Sequence, residues 1–281
     1  MDPTFDLDEF VRRALAEDLG TGGDVTSNAT IAADARFSAE LACREEIVVA
    51  GLEIALAFFA ALDPDVRVER FASDADRVVS GTVLARIEGN ARAMLTAERS
   101  ALNTLQHLSG IATLTRCYVD AIAGTGGILL DTRKTTPGLR VLEKYAVRMG
   151  GGQNHRMRLD DGVLIKDNHV AVCGGVAEAV RRAKAANTAL QVQVEVDRID
   201  QIEPALDAGA DRLLLDNMPP PVLREAVALV AGRVPLEASG GVRLDTIRAI
   251  AETGVDYISL GRITQSAPAV DIGMDYSLQV S

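Results

Sequence analysis

Cysteine is scarce in this chain of 281 residues. Cys43, Cys117 and Cys173 lie far apart with no Cys-x-x-Cys pair, which excludes a disulfide framework or a thiolate zinc site and fits a reducing compartment. Histidine is as sparse: His107, His155 and His169 cannot build a His-rich metal centre. No apolar run reaches the ~18–20 residues of a membrane span, and the longest, Ile47 to Leu62, is broken by Glu53. Met1-Asp2-Pro3 opens no cationic signal sequence, so a cytoplasmic, unprocessed protein is expected. Positive charge is in deficit, with 29 Lys and Arg against 40 Asp and Glu, a net charge of −11 and a pI near 4.8. Such a surface repels nucleic-acid phosphates and anionic lipid, so neither nucleic acid nor membrane is an expected partner. Neither Gly-x-x-x-x-Gly-Lys-Ser/Thr nor Gly-x-Gly-x-x-Gly after a strand occurs, and ATPase and dehydrogenase readings lose support.

What is present is a core-forming composition, 48% hydrophobic and 25% charged, which rules out disorder and allows one large domain or two smaller ones. From about Gly124 a strand-like run alternates with a helical stretch. The runs are Ile128 to Asp131, Val163 to Lys166, Val192 to Asp197, Leu213 to Asp216, Leu236 to Ser239 and Tyr257 to Leu260. Helical spacing marks Val176 to Ala186, Ile199 to Leu206, Pro221 to Ala231 and Leu244 to Glu252. Gly209 and Gly254 each fall where a helix stops in left-handed geometry before a strand. Read as apolar on both faces, such strands predict a parallel sheet, open or closed. The polar strand ends at Asp131 to Lys134, Lys166, Glu195, Asp216, Ser239 and Gly261 favour a closed α/β barrel, where they converge on one mouth.

The first ~110 residues read as α+β, with a helix from Leu7 to Leu19 and alternating segments at Ala39 to Ala42 and Arg77 to Ile87. A long helix from Ala97 to Ile122, capped by Thr96, joins the two parts, with the boundary near Gly110. That start puts Arg99 in the first turn, against the positive end of the helix dipole, where a compensating anion is wanted.

Between Asp131 and His169 the cations cluster: Arg133, Lys134, Arg140, Lys144, Arg148, His155, Arg156, Arg158 and Lys166, around Gly150-Gly151-Gly152. Against a net negative chain this predicts an anion pocket, since guanidinium forks grip carboxylate or phosphate. Arg140, Lys144 and Arg148 read as a solvated helix face; Arg133, Lys134 and Lys166, at strand ends, read as functional. His155, in a loop, is expected to donate to an anion, His107 to be core, and His169 to orient its neighbours. Ser239-Gly240-Gly241 and Leu260-Gly261-Arg262 bring backbone N–H groups towards a phosphate. Glu195 and Asp216 suit Mg²⁺ carried in by a phosphorylated substrate, with a general acid/base role left open.

The run Asp131-Thr132-Arg133-Lys134-Thr135-Thr136-Pro137-Gly138-Leu139-Arg140, with Glu143 to Val147 and Gly150 to Arg156, closely resembles the quinolinate phosphoribosyltransferase family. Leu164 to His169, Val194 to Asp197, Leu215-Asp216-Asn217, Glu237 to Gly241 and Ser266 to Ile272 extend the likeness over nearly the whole chain. The resemblance implies an α/β architecture: an N-terminal α/β sandwich over 1–110, completed by 266–281, and an incomplete TIM-like barrel over 111–265 with about six to seven parallel strands. It implies a homodimer with shared active sites, Arg99 reaching the neighbouring pocket. Arg133, His155, Arg156 and Lys166 would take the two quinolinate carboxylates. Thr132 would be a substrate contact too, and Lys134 would border phosphoribosyl pyrophosphate. Glu195 and Asp216 would hold ribose hydroxyls and Mg²⁺, and Ser239, Gly240, Gly241, Leu260, Gly261 and Arg262 the 5′-phosphate. Arg158 and Gln265 depart from the pattern of relatives. The implied reaction forms nicotinate mononucleotide, pyrophosphate and CO₂ in NAD biosynthesis, and needs no protein nucleophile. A related transferase for another anionic heterocycle or for nicotinate, and a non-catalytic anion-binding barrel, are the alternatives; five candidate cations favour a dicarboxylate.

Overall fold

Asp6 and Asp24 each accept the backbone N–H three residues on, from Glu9 and Ser27, and so start α1 (Leu7–Leu19) and α2 (Val25–Thr30). The structure is a computed structural model that describes residues 5–186 and 189–277; the expectation for Met1 to Pro3 and the outermost ends of 1–110 and 266–281 lie outside them. Strands β1 (Arg36–Cys43) and β2 (Ile47–Val48), helix α3 (Leu52–Leu62), strands β3 (Arg67–Arg70), β4 (Arg77–Val78) and β5 (Val83–Asn90), and helix α4 (Ala91–Ala121) follow. The C-terminal strand, numbered β12 (Ile272–Ser277), pairs antiparallel with β1, giving a four-stranded sheet of order β12-β1-β5-β3. Period-two burial on β1 puts Ala39, Leu41 and Cys43 in the core of this unit. The alternating stretch Arg77 to Ile87 is not one strand: it breaks at a turn with Gly81 at φ +86°, and β4 pairs with β2 instead.

Helix α4 begins earlier than expected, because the Asn90 side chain accepts the Ala93 N–H at 3.1 Å and caps it. Thr96 is inside the helix, its hydroxyl donating to Asp24 at 3.0 Å. Arg99 is therefore more than two turns in, where the dipole cost does not apply. Gly110 is obligatory on this helix: a Cβ there would lie 2.0 Å from the Pro268 carbonyl oxygen.

The chain divides into two compact units, one reaching to Leu114 and adding Val141–Gly151 and the segment from Ser266, the other Thr115–Arg140 and Gly152–Gln265. In the second, β6 (Ile128–Leu130) precedes α5 (Arg140–Met149), whose residues from Val141 belong to the first unit. Then come β7 (Val163–Ile165), α6 (Asp167–Cys173), α7 (Val176–Ala186), β8 (Val192–Val196), a 3₁₀ turn at Ile199–Gln201 leading into α8 (Ile202–Asp207), β9 (Arg212–Asp216) and α9 (Pro220–Val230). Strand β10 (Leu236–Ser239), α10 (Ile247–Ala251), β11 (Tyr257–Ser259) and α11 (Arg262–Gln265) complete it. Gly209 and Gly254 both have φ +91°, as a left-handed helix stop requires.

Strand order decides between open and closed. The parallel sheet runs β6-β11-β10-β9-β8-β7, so each strand from β7 to β11 neighbours its successor and the first strand pairs with the last. There is no reversal of winding, which excludes a doubly wound sheet, and Gln153 adds one parallel rung beside Leu130. The barrel is incomplete, its ladder ending between Gln153 and β7.

Its strands are not apolar on both faces, as the sequence reading expected. Val192, Val194, Val196, Leu213, Leu215, Leu236 and Ala238 are buried on one face, while Gln193, Glu195, Arg212, Asp216, Glu237 and Ser239 alternate with them on the other. Among the described residues no helix is long and apolar enough to cross a membrane.

Candidate active site

The polar face of the barrel is layered by register. Ser239 pairs with Asp216 and with Ser259, and Glu195 with Leu214, which puts Glu195, Asp216 and Ser239 near the carboxyl ends of their strands. Lys166 follows β7, and its Nζ lies 3.6 Å from Glu195. Burial first pushes the Glu195 carboxyl above its ordinary range; Lys166 opposes this, while Asp216 and Asp167 add to it. Burial raises Asp216 likewise, against the pull of Lys166 and Lys134, with Asp167 and Asp197 reinforcing it. Two desolvated carboxylates flanked by two ammonium groups thus share one mouth.

The loop after β6 is tied down from inside. Asp131 is fully buried; its Oδ1 accepts the His155 N–H at 2.8 Å and its Oδ2 the Asn154 amide at 2.6 Å. This joins Thr132-Arg133-Lys134 to the segment carrying Arg156. Arg133 makes no side-chain hydrogen bond or ion pair among the described residues, although its Nε is buried. Arg156 donates to the Gly162 carbonyl at 2.8 Å, and burial, followed by the Arg133 charge, holds its guanidinium below the usual range. Two guanidinium charges that act on each other are an arrangement that a bound anion would neutralise.

Lys134 is held by α11 and the turn before it. Its carbonyl accepts the Thr264 hydroxyl at 2.8 Å, and its stem crosses Gly261 so closely that a Cβ there would lie 2.6 Å from Lys134 Cδ. Gly240, at φ +89°, packs against the Asp216-Asn217 turn, where a Cβ would come 2.9 Å from the Asn217 nitrogen. The N–H groups of Gly240, Gly241, Gly261 and Arg262 donate to no described backbone group. Leu260 differs from expectation: it is buried and its N–H donates to the Leu130 carbonyl at 3.0 Å, so it holds the barrel closed and has no N–H left for a phosphate.

Other expectations change too. Thr132 accepts the Lys134 N–H at 3.0 Å and shapes the turn. His155 has both ring nitrogens engaged, Nδ1 accepting the Arg156 N–H at 2.8 Å and Nε2 facing Gln193 Oε1 at 3.1 Å, so it does not present a free donor to an anion. Lys144 is fully buried with Glu143, not part of a solvated face, because their helix face turns into the first unit. His107 is half-buried and pairs with Glu143 at 3.0 Å instead of lying in the core. His169 does orient its neighbour, accepting the Lys166 N–H at 2.9 Å. Arg158 is balanced by Asp160 at 2.9 Å, and Gln265 is exposed at the end of α11. Arg99 is exposed in the first unit and pairs with no described side chain. The sequence reading missed Gln193, Arg212 and Glu237, although the alternation in Val-Gln-Val-Glu-Val already separates their face from the apolar one.

Among the described residues no group of three or more His, Cys, Asp or Glu side chains is placed to hold a metal ion. Glu195 and Asp216 alone would supply a partial set of hard oxygen donors. That suits Mg²⁺, which keeps waters and substrate phosphate oxygens in its shell.

The family models described as quinolinate phosphoribosyl transferase, N-terminal domain and C-terminal domain, match residues 24–109 and 111–275. A Mycobacterium leprae protein named nicotinate-nucleotide pyrophosphorylase [carboxylating] is 44% identical over 275 residues, 95% of this chain and 96% of its own. A Bacillus subtilis protein named probable nicotinate-nucleotide pyrophosphorylase [carboxylating] is 43% identical, covering 97% of this chain and 94% of its own. The solved nicotinate-nucleotide pyrophosphorylase of Ehrlichia chaffeensis superposes with a TM-score of 0.94 at 41% identity, over 98% of this chain and all of that one. An incomplete parallel barrel with a basic and acidic mouth, and matches across both halves of the sequence, place the chain in the quinolinate phosphoribosyltransferase family.

Proposed function

We propose that the chain transfers a phosphoribosyl group from phosphoribosyl pyrophosphate to quinolinate with loss of CO₂, giving nicotinate mononucleotide and pyrophosphate for NAD biosynthesis. The observation that carries this reading is that Arg133, whose charge acts on Arg156, has no carboxylate partner among the described residues, in the same unit as the Lys166, Glu195 and Asp216 mouth. A dicarboxylate needs such a doubled cation. Arg133 and Arg156 take the two carboxylates, with Lys166 beside them, and turn the ring nitrogen towards the ribose. Glu195 and Asp216 orient the ribose hydroxyls and would hold Mg²⁺, which supplies charge neutralisation for pyrophosphate when bound. Lys134 lies against Gly261 and meets the developing negative charge of the leaving group. The backbone N–H groups of Gly240, Gly241, Gly261 and Arg262 receive the 5′-phosphate.

The C1′–O bond to pyrophosphate breaks and the C1′–N bond forms. The bond to the 2-carboxylate then breaks, its electron pair staying on the ring carbon beside the quaternary nitrogen until that carbon takes a proton. Arg99, exposed and with no side-chain partner among the described residues, supports a homodimer in which Arg99 of the partner subunit completes each pocket, and a cytoplasmic location belongs to the same proposal.

Protein mixed with Mg²⁺, phosphoribosyl pyrophosphate and carboxyl-labelled quinolinate is expected to release labelled CO₂ and nicotinate mononucleotide in equal amounts. Turnover of nicotinate in place of quinolinate would overturn the reading.

Glu195 carries a second expectation. Its ionisation is disfavoured in the folded protein, so at neutral pH the charged form costs folding free energy, a cost that shrinks as the pH falls through the folded-state value and is gone below the unfolded-state one. Glu195→Gln is expected to abolish turnover yet raise the thermal midpoint at pH 7, by about 2–4 °C for each kcal/mol recovered. The difference from wild type should close in acid. Calorimetry across pH checks this, and a lower midpoint for the variant at pH 7 would contradict it.

A further inference from the structure

The lower polar layer of the barrel has no part in the proposed chemistry. Gln193, Arg212 and Glu237 lie on the inner face two residues before Glu195, two residues before Leu214 and two residues before Ser239 on their strands. Glu237 is fully buried and meets the Arg212 guanidinium at 2.7 Å, the Gln193 amide nitrogen at 2.8 Å and His155 Nε2 at 3.5 Å. The Arg212 guanidinium also lies 3.8 Å over the Tyr257 ring, which steadies it where water is scarce. The Gln193 nitrogen must donate to the carboxylate, so its Oε1 must face the histidine, 3.1 Å from Nε2. On the opposite edge of the ring Nδ1 accepts the Arg156 backbone N–H at 2.8 Å. An accepting ring nitrogen carries no proton, so the proton is on Nε2, where both Gln193 and Glu237 call for it.

We infer that Gln193, Glu237 and Arg212 are positioning residues for the anion site: they lock His155 as its Nε2–H tautomer and, through Nδ1, hold the Arg156 peptide so that its guanidinium is presented beside Arg133. The chain of contacts runs from the barrel interior to the substrate carboxylate without any of the three touching substrate. Asp131, accepting the His155 N–H, pins the same residue from the other side. The ring therefore has one orientation and one tautomer that satisfy Gln193, Glu237 and the Arg156 N–H together. For its kinetic consequence the inference rests on quinolinate being the substrate; the tautomer itself does not.

The test separates the two. With three histidines in the chain, ¹⁵N ring spectra are assignable by comparison with His155→Asn. Wild type is expected to show His155 with a pyridine-like Nδ1 and a pyrrole-like Nε2. Gln193→Met, close in shape but unable to accept from the ring, is expected to lose this single-tautomer signature. It should also raise the KM for quinolinate about tenfold, with kcat changed less than about threefold and the KM for phosphoribosyl pyrophosphate less than about twofold. Glu237→Gln is expected to do the same. Because it leaves Arg212 without a counter-charge, the double variant Arg212→Met/Glu237→Gln, free of buried charge, is measured beside it. An unchanged His155 spectrum in folded Gln193→Met overturns the inference, as does an equal rise in both KM values. If wild type fails to turn over quinolinate, the proposed function fails, and the spectra still decide the positioning role.

Discussion

Arg133→Ala is expected to lower kcat/KM for quinolinate by about 10³-fold while the protein stays folded. The guanidinium has no carboxylate or carbonyl partner among the described residues, so removing it breaks no bond that the fold uses. It also relieves the repulsion that Arg133 exerts on Arg156. Stability should hold or rise slightly, in contrast with the usual loss on truncating a half-buried side chain. Arg133→Lys keeps the charge but loses the forked geometry, and an intermediate loss is expected. Arg156→Ala should match Arg133→Ala in activity but cost more stability, because its NH1 bond to the Gly162 carbonyl ties the loop down. Steady-state kinetics and thermal melts on the same samples check all three. Unfolding of Arg133→Ala, or activity within about tenfold of wild type, would remove Arg133 from the anion site.

Asp131→Ala should produce the largest loss of stability, about 3–5 kcal/mol, because two half-buried donors lose a fully buried, charged acceptor at once. The His155 N–H and the Asn154 amide both point at a carboxylate with no solvent exposure. Asp131→Asn keeps the volume and one good acceptor, and should cost about half as much. Urea denaturation gives the measurement: the midpoint should fall with the slope unchanged. A loss below about 1 kcal/mol would mean that the Gln153–Arg156 segment is held by other bonds. Activity is expected to fall with stability, since the same carboxylate fixes the peptide between His155 and Arg156.

Much of the barrel was legible from local pattern. The run Leu236 to Ser239 is β10, and Val176 to Ala186 is α7, to the residue. Val163 to Lys166 differs from β7 by its last residue alone. These elements are set by periodicity and by glycine stops, which act over a few residues. The start of α4 was misplaced for a related reason: Thr96 and Asn90 are both good caps, and only the bond from Thr96 to Asp24, far off in sequence, takes Thr96 out of contention. The cation cluster was visible as a group, but its members part company in space. Lys144 goes into the first unit's core, Arg158 pairs with Asp160, Arg156 donates to the Gly162 carbonyl, and Arg133 makes no side-chain bond among the described residues.

The amino-acid sequence by itself determined the strands of the parallel sheet and several of the helices between them, that positive charge concentrates between Asp131 and His169, and which family the chain resembles. The tertiary structure decided which N–H groups and which cations remain available, because availability depends on partners that strand register brings in from elsewhere. Leu260 loses its N–H to Leu130, and His155 loses both ring nitrogens to Arg156 and to the layer around Gln193, through contacts that no local pattern encodes.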